Sequence, residues 1–288
     1  MGRAGSVRRD LRAALAGLLI ASAAAGCAKA VNYPSLTEPL TTWQSQQASR
    51  PADTDSFRVV SFNIAFAIEI DRAIEALQQS GPLQNADVIA LQEMDAPGAE
   101  RIARALHMNA VYFPSGVHPK HDRDFGCAIL SPWPLVEPRK LILPHGARVS
   151  GLRRAATSAV VMHGTHPIRV YSLHLPAPMS ISGGSRKHQL RVLAANADSA
   201  GMPVVIAGDF NSHGKVEELE RAGYVWVTKD MAGSIPKRFL GIRMKNLRYD
   251  HILTRGLESA GPPGVVADNR GASDHLPIWA VFRIRANP

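Results

Sequence analysis

This sequence is short of cysteine, short of acid relative to base, and without a long apolar run, and each shortage excludes a class of protein. Its two cysteines, Cys27 and Cys127, cannot supply a disulfide framework. Cys27 closes an apolar leader, whereas Cys127 lies inside the apolar run Phe125-Gly126-Cys127-Ala128-Ile129-Leu130 and reads as a core residue. The leader's apolar stretch, Ala13 to Ala25, is broken only by Ser22. At about 13 residues it falls short of the ~20 needed to cross a bilayer as a helix. No internal repeat is visible, and no Pro/Gly/Ser-rich linker divides residues 57–285, so a repeat array and a two-domain split of that region are both disfavoured.

What is present suffices for a sizeable core. The chain has 288 residues, 45% of them hydrophobic, which excludes disorder as the main state. Lys and Arg outnumber Asp and Glu by 33 to 24, for a formal charge of +9. Such a surplus suits an anionic partner: nucleic acid, a phosphorylated small molecule or a lipid headgroup surface.

Arg3, Arg8, Arg9 and Arg12 precede the apolar stretch, and small residues follow it, which is the pattern of a secretory signal. Ala24-Ala25-Gly26-Cys27 resembles a bacterial lipoprotein signal, although Ala24 stands where leucine is usual. That resemblance implies lipidation at Cys27 and an exported protein anchored to a membrane of the bacterial envelope, the outer membrane among them. Without lipidation it would be periplasmic or secreted. Loss of the four arginines and Asp10 with the leader lowers the net charge from +9 to +6. The sequence thus divides into a signal over 1–27, a polar linker over 28–56 containing Pro34, Pro39 and Pro51, and a catalytic domain over 57–288.

Within the domain, strand and helix patterns alternate. Phe57 to Ile64 and Asp87 to Glu93 read as strands, as do Cys127 to Leu130, Ala156 to Met162, Ile168 to Leu173, Val204 to Ala207, Tyr249 to Leu253 and Ile278 to Ile284. Helical spacing marks Ile70, Ile74 and Leu77, then Ile102 and Leu106, then Arg186 to Ala200. So many strands in one α/β domain suggest two packed sheets with helices outside.

Polar groups recur at the ends of these strands. Asn63 and Glu93 end the first two; His174 ends Val170-Tyr171-Ser172-Leu173; Gly208-Asp209-Phe210-Asn211 follows Val204 to Ala207. Asp250-His251 opens one later strand and Ser273-Asp274-His275 the last. Any one of them is accounted for by a turn, a cap or a satisfied core histidine. Their joint placement at the ends of rigid elements indicates one cleft.

The set Phe62-Asn63, Leu91-Gln92-Glu93, Ser172-Leu173-His174-Leu175, Gly208-Asp209-Phe210-Asn211, Tyr249-Asp250-His251-Ile252 and Ser273-Asp274-His275-Leu276-Pro277 resembles the endonuclease/exonuclease/phosphatase superfamily. That group includes pancreatic-type deoxyribonucleases, abasic-site endonucleases, inositol polyphosphate 5-phosphatases and neutral sphingomyelinases. The resemblance implies a four-layer α/β sandwich, two mixed sheets between helices, with the site at one edge. It also implies a metal-dependent phosphoric ester hydrolase of phosphodiesterase or endonuclease type. Hard oxygen ligands suit Mg²⁺ or Mn²⁺, with Glu93 as principal ligand and Asn63 and Asp274 beside it. His275 is the expected general base, and Asp250 the carboxylate that orients it. By similarity, Asp209 and Asn211 hold the attacking water and the phosphate, and His174 donates to the phosphate or leaving oxygen. Ala65 departs from the acidic residue of abasic-site endonucleases and weakens a two-metal reading.

Upstream of Asp250, Lys229, Lys237, Arg238, Arg243, Lys245 and Arg248 face a single acid, Asp230. Arg243, Lys245 and Arg248 are candidates for holding substrate phosphate, and Arg153-Arg154 and Arg186-Lys187 for the same face. The interleaved Phe239, Leu240, Ile242, Met244 and Leu247 suit a lipid surface equally well. Three readings remain: a nuclease, a phospholipid or phosphoinositide headgroup hydrolase, and a surface binding lipoprotein on a retired scaffold. Needing both Asp250 and His275 disfavours the third. No protein partner is implied, and a monomer is expected.

Overall fold

The apolar runs become strands buried on both faces, because period-two geometry sends alternate residues to two different cores. Val60 and Ile89 point one way while Val59, Val88 and Ala90 point the other. The computed structural model describes residues 29–47, 55–119, 121–236 and 246–284, with the backbone of two short strands between 238 and 243.

In chain order the strands are β1 (Val31–Asn32), β2 (Thr41–Trp43), β3 (Ser56–Asn63), β4 (Val88–Met94), β5 (Asn109–His118) and β6 (Arg123–Ser131). Next come β7 (Leu135–Ile142), β8 (Ala155–His163), β9 (His166–His174) and β10 (Val204–Asp209). The last are β11 (Val225–Trp226), β12 (Arg238–Phe239), β13 (Ile242–Arg243), β14 (Asp250–Arg255), β15 (Glu258–Ser259), β16 (Gly264–Val265) and β17 (Ile278–Arg283). The α-helices among the described residues are α1 (Ile70–Gln79), α2 (Ala96–Ala105), α3 (Gly183–Asp198) and α4 (Glu217–Arg221), and a 3-10 turn spans Ala65–Ala67. Asp95 caps α2 by accepting from the Gly98 N–H, and Ser182 caps α3 through the Ser185 N–H.

One sheet runs β1-β5-β6-β4-β3-β17-β15, with β2 added to β5 and β16 to β17. The other runs β11-β14-β10-β9-β8-β7. Val59, Val88, Val111 and Ile129 of the first meet Val161, Val170, Val205 and Ile252 of the second in a buried apolar layer. Ile70, Ala73, Leu77 and Ile102 of α1 and α2 cover the first sheet's outer face, and Leu190, Leu193 and Leu219 of α3 and α4 cover the second's. This is the four-layer α/β sandwich expected from the sequence, with two mixed sheets.

The stretch expected as a free linker is docked over residues 29–47. Val31 and Asn32 pair with Val117 and Gly116, and Thr41 to Trp43 pair with Tyr112 to Ala110. These strands are too short to show a period, and they gain backbone pairing more than apolar burial, so composition alone gives no sign of them. Gly116 permits the approach: a Cβ there would lie 2.1 Å from the Val31 carbonyl oxygen. The Tyr33 hydroxyl donates to Asp124, and Lys140 Nζ donates to the Tyr33 carbonyl, 2.8 and 2.9 Å respectively. The signal segment 1–27, with Cys27, and residues 48–54 lie outside the described residues. Among the described residues no helix is long and apolar enough to cross a membrane.

Candidate active site

Strand register alone assembles half of the site. In the second sheet Asp209 pairs with His174 on one side and with Asp250 on the other, so three polar strand ends lie in one row. From the first sheet Asn63 reaches across, its Nδ2 donating to Asp209 Oδ2 at 3.2 Å. The seam beneath is polar as well: Gln92 Nε2 donates to Ser172 Oγ at 3.1 Å, and that hydroxyl donates to the Leu91 carbonyl at 2.9 Å.

Backbone strain marks the same edge. Glu93 adopts φ 57° where the β4–β6 register shifts, a bulge that turns its carboxylate out of the strand alternation and into the site. Phe66 (φ 61°) and Asn211 (φ 48°) are also left-handed, and costs of about 1–3 kcal/mol each are tolerated where the surroundings over-determine the conformation. Gly208 is the extreme case: at φ 153° a Cβ would lie 1.9 Å from the Leu173 carbonyl oxygen. Gly208→Ala should therefore destabilise the fold by about 3 kcal/mol or more, lowering Tm by about 6–12 °C in a thermal melt. An unchanged Tm would show that β9 and β10 can separate there.

At the centre, His275 Nδ1 and Asp250 Oδ2 are 2.8 Å apart and both residues are buried. The Ser234 hydroxyl donates to that same carboxylate oxygen. With Nδ1 so engaged, Nε2 faces Asp209 Oδ2 at 3.8 Å. Burial by itself pushes the His275 imidazole down, but the charge and hydrogen bond of Asp250, with Asp209 and Asp274, push it up to about 10. Asp209 is raised first by burial and then by Asp250, although it accepts from the Asn211 N–H at 2.7 Å.

Glu93 is buried enough to be raised, with the charge of Arg154 opposing the shift. Its Oε2 accepts from the Phe66 N–H at 3.2 Å, and its Oε1 lies 3.8 Å from His174 Nε2. His174 is almost wholly buried, and burial, with Arg154 adding to it, holds its imidazole well below its usual range. It lies beneath the carboxylates, 3.4 Å from Asp209 Oδ2 and 3.2 Å from Asn211 Nδ2.

The donor set fits a hard divalent cation. Carboxylate oxygens predominate, and one of them, Asp250 Oδ1, is buried without a hydrogen-bond partner. One ligand atom from each of Asp209, Asp250 and His275 lies within 4.8 Å of the others, a group that could bind an ion. Two carboxylates and an imidazolium so placed already balance much of their charge. Glu93, raised by its burial, gains most from a cation.

Other expected residues are placed less uniformly. Asp274 is exposed, yet its charge reaches both Glu93 and His275. Arg248 spends its guanidinium on the Lys229 carbonyl. The side chain of Arg243 and all of Lys245 lie outside the described residues. Arg186 does not join a phosphate face: it donates to the carbonyls of Phe210 and Pro176 at 2.8 and 2.7 Å and ties two loops together. His251 is internal, against Trp226 and the Ser212 carbonyl, and burial pushes it down to about 4. Cys127 is buried, its thiol pushed up to about 12 by burial, which suits a core residue. Ser234 was not a sequence candidate, and no strand end signals it.

A family model for the Endonuclease/Exonuclease/phosphatase family matches residues 60–275. The chain belongs to that family. Membership supports phosphoester hydrolase activity, and family enzymes use divalent metals. Solved structures with the same fold include an endonuclease/exonuclease/phosphatase from Beutenbergia cavernae, 19% identical over 79% of this chain and 71% of that one, with a TM-score of 0.63. Sphingomyelinase C from Streptomyces griseocarneus is 20% identical over 79% and 99%, TM-score 0.59. Mannosyl-6-phosphatase from Bacteroides thetaiotaomicron is 16% identical over 78% and 98%, TM-score 0.60. No curated protein matches the chain.

Proposed function

We propose that this protein is an exported, divalent-metal-dependent phosphodiesterase, of nuclease type, that attacks phosphorus with water activated by His275. The observation that carries the reading is the buried pair of His275 and Asp250, with the second ring nitrogen 3.8 Å from Asp209 Oδ2. Asp250 fixes the ring by holding Nδ1, so Nε2 is the atom that exchanges a proton with the attacking water. Asp209 and Asn211, at the end of β10, hold that water and a phosphate oxygen. Asn63 fixes Asp209, and His174, beside Asp209 at the end of β9, donates to the phosphate or leaving oxygen. Glu93, with Asn63 and Asp274, would hold Mg²⁺ or Mn²⁺, which supplies charge neutralisation at the phosphate oxygens. Asp209 and Asp250, which hold His275 protonated in the metal-free protein, would share their negative charge with a cation bound there, and His275 would then take the neutral form a base requires.

Lipidation at Cys27 would tether the enzyme to an envelope membrane, with 29–47 docked as its proximal strap. The test is a hydrolysis panel of plasmid DNA, RNA, sphingomyelin, phosphoinositides and a generic aryl phosphodiester. Turnover of nucleic acid and the aryl diester with Mg²⁺ or Mn²⁺, abolished by EDTA, is the expected result. Turnover of lipid alone would replace nuclease with headgroup hydrolase, favoured then by the anchor and by the sphingomyelinase-like fold. Metal-independent turnover would sink both. Cys27→Ser should release the protein from membranes; unchanged retention would remove the anchor.

A further inference from the structure

Arg154 precedes β8, the strand antiparallel to β9. The register that pairs Thr157 with Ser172 carries residue 154 to the edge where His174 ends β9. Its guanidinium lies over the Phe125 ring, 4.5 Å from the centroid, and the same ring is 5.5 Å from that of His174. The charge of Arg154 acts on Glu93, Asp209 and His174. It therefore faces the site from a wall on which no catalytic role has been placed.

The guanidinium is nevertheless not satisfied. Nη1 is buried and has no hydrogen-bond partner, and no carboxylate closes on it as an ion pair among the described residues. An arginine cannot lose its proton to escape burial, so an orphaned guanidinium N–H carries a desolvation cost until an anion meets it. The segment is held firmly enough to keep that geometry. Asn32 Oδ1 accepts from the Arg153 N–H at 2.7 Å, Asn32 Nδ2 donates to the Gly151 carbonyl at 3.1 Å, and the Leu143 N–H donates to the Arg154 carbonyl at 2.9 Å. The docked strap thus helps to hold the residue that bears the free donor.

We propose that Arg154 grips a non-bridging oxygen of the substrate phosphate, with its fork stacked on Phe125 and aimed beside Glu93. This rests on the phosphoesterase reading and adds to it a substrate-binding residue from the segment that leads into β8. A planar guanidinium matches phosphate oxygens in a way that an ammonium does not. The competing role is mere neutralisation of Glu93 and Asp209, and the two roles separate experimentally.

Inorganic phosphate binding to the Mn²⁺-loaded full chain, measured by calorimetry, is compared among wild type, Arg154→Gln, Arg154→Met and Arg154→Lys, with Mn²⁺ affinity and Tm measured alongside. The expected result is a Kd for phosphate raised about 10–100-fold in the Gln and Met variants. Lysine should restore part of the loss, Mn²⁺ affinity should not weaken, and KM for the aryl diester should rise. Phosphate affinity within twofold of wild type in any folded variant lacking the charge, or tighter Mn²⁺ with unchanged phosphate affinity, would overturn the proposal. So would a wild type that binds no phosphate. If Gln does not fold, Met and Lys decide. Phosphate binding that depends on Arg154 in a protein hydrolysing none of the panel would uphold the grip and refute the phosphoesterase reading; hydrolysis indifferent to Arg154 does the reverse.

Discussion

Replacing His275 with alanine is expected to lower kcat about 10²–10⁴-fold with metal binding intact, and Asp250→Asn should come close to the same loss. The two are one device: the 2.8 Å contact fixes which ring nitrogen faces the cleft, and an asparagine amide in that place can present the wrong partner to Nδ1. Two readouts distinguish this from general damage. In single-turnover assays the acid limb of the pH profile should disappear with His275. In metal-free protein the pair also shapes stability. Its folded pKa, about 10, lies above the ordinary histidine value, so the protonated form is favoured by folding. That stability is complete below about pH 6.5 and is lost as pH rises through the folded value. The Tm of EDTA-treated wild type, taken relative to Asp250→Asn, should therefore decline between about pH 6.5 and 10. Parallel curves across that window would mean that the imidazole gains nothing from Asp250.

Much of this site was legible because strand ends announce themselves. Asn63, Glu93, His174, Asp209 and Asp250 are each a polar residue where an apolar run stops or starts, and a sheet in register turns such a list into a row. What escaped depends on three-dimensional approach. β7 escaped because it is an edge strand, where Glu137, Pro138 and Arg139 are admitted and the apolar pattern fades. β5 carries Pro114 and Gly116 at its register shift, and both read as breakers. Strands of two or three residues, such as β1 and β2, have no period to read. Ser234 escaped because its contact with Asp250 is made by a loop, and Arg154 was legible only as one of several basic residues. Arg186 shows the converse error: a surplus of charge says how many cations there are, not which are spent on carbonyls.

Glu93→Gln should cost at least about 100-fold in Mn²⁺ affinity, more than the 10–100-fold typical of residues that only support a ligand, and should remove activity at limiting metal with partial recovery at excess. The physical basis is the burial of a carboxylate that nothing in the described chain fully compensates. Its pKa is raised by that burial, with Arg154 only opposing the shift, so the ionised form at neutral pH detracts from stability until a cation arrives. Two differences in Tm follow. The metal-free variant should melt above metal-free wild type, because an amide replaces a stranded charge of the same shape. Added Mn²⁺ should then raise the wild-type Tm and leave that of the variant nearly still, since a ligand stabilises only the fold that binds it. Should Glu93→Gln bind Mn²⁺ as tightly as wild type, the cation belongs to the group of Asp209, Asp250 and His275. Asp209→Asn would then be the variant that loses metal, and His275 would be a ligand where a base is proposed.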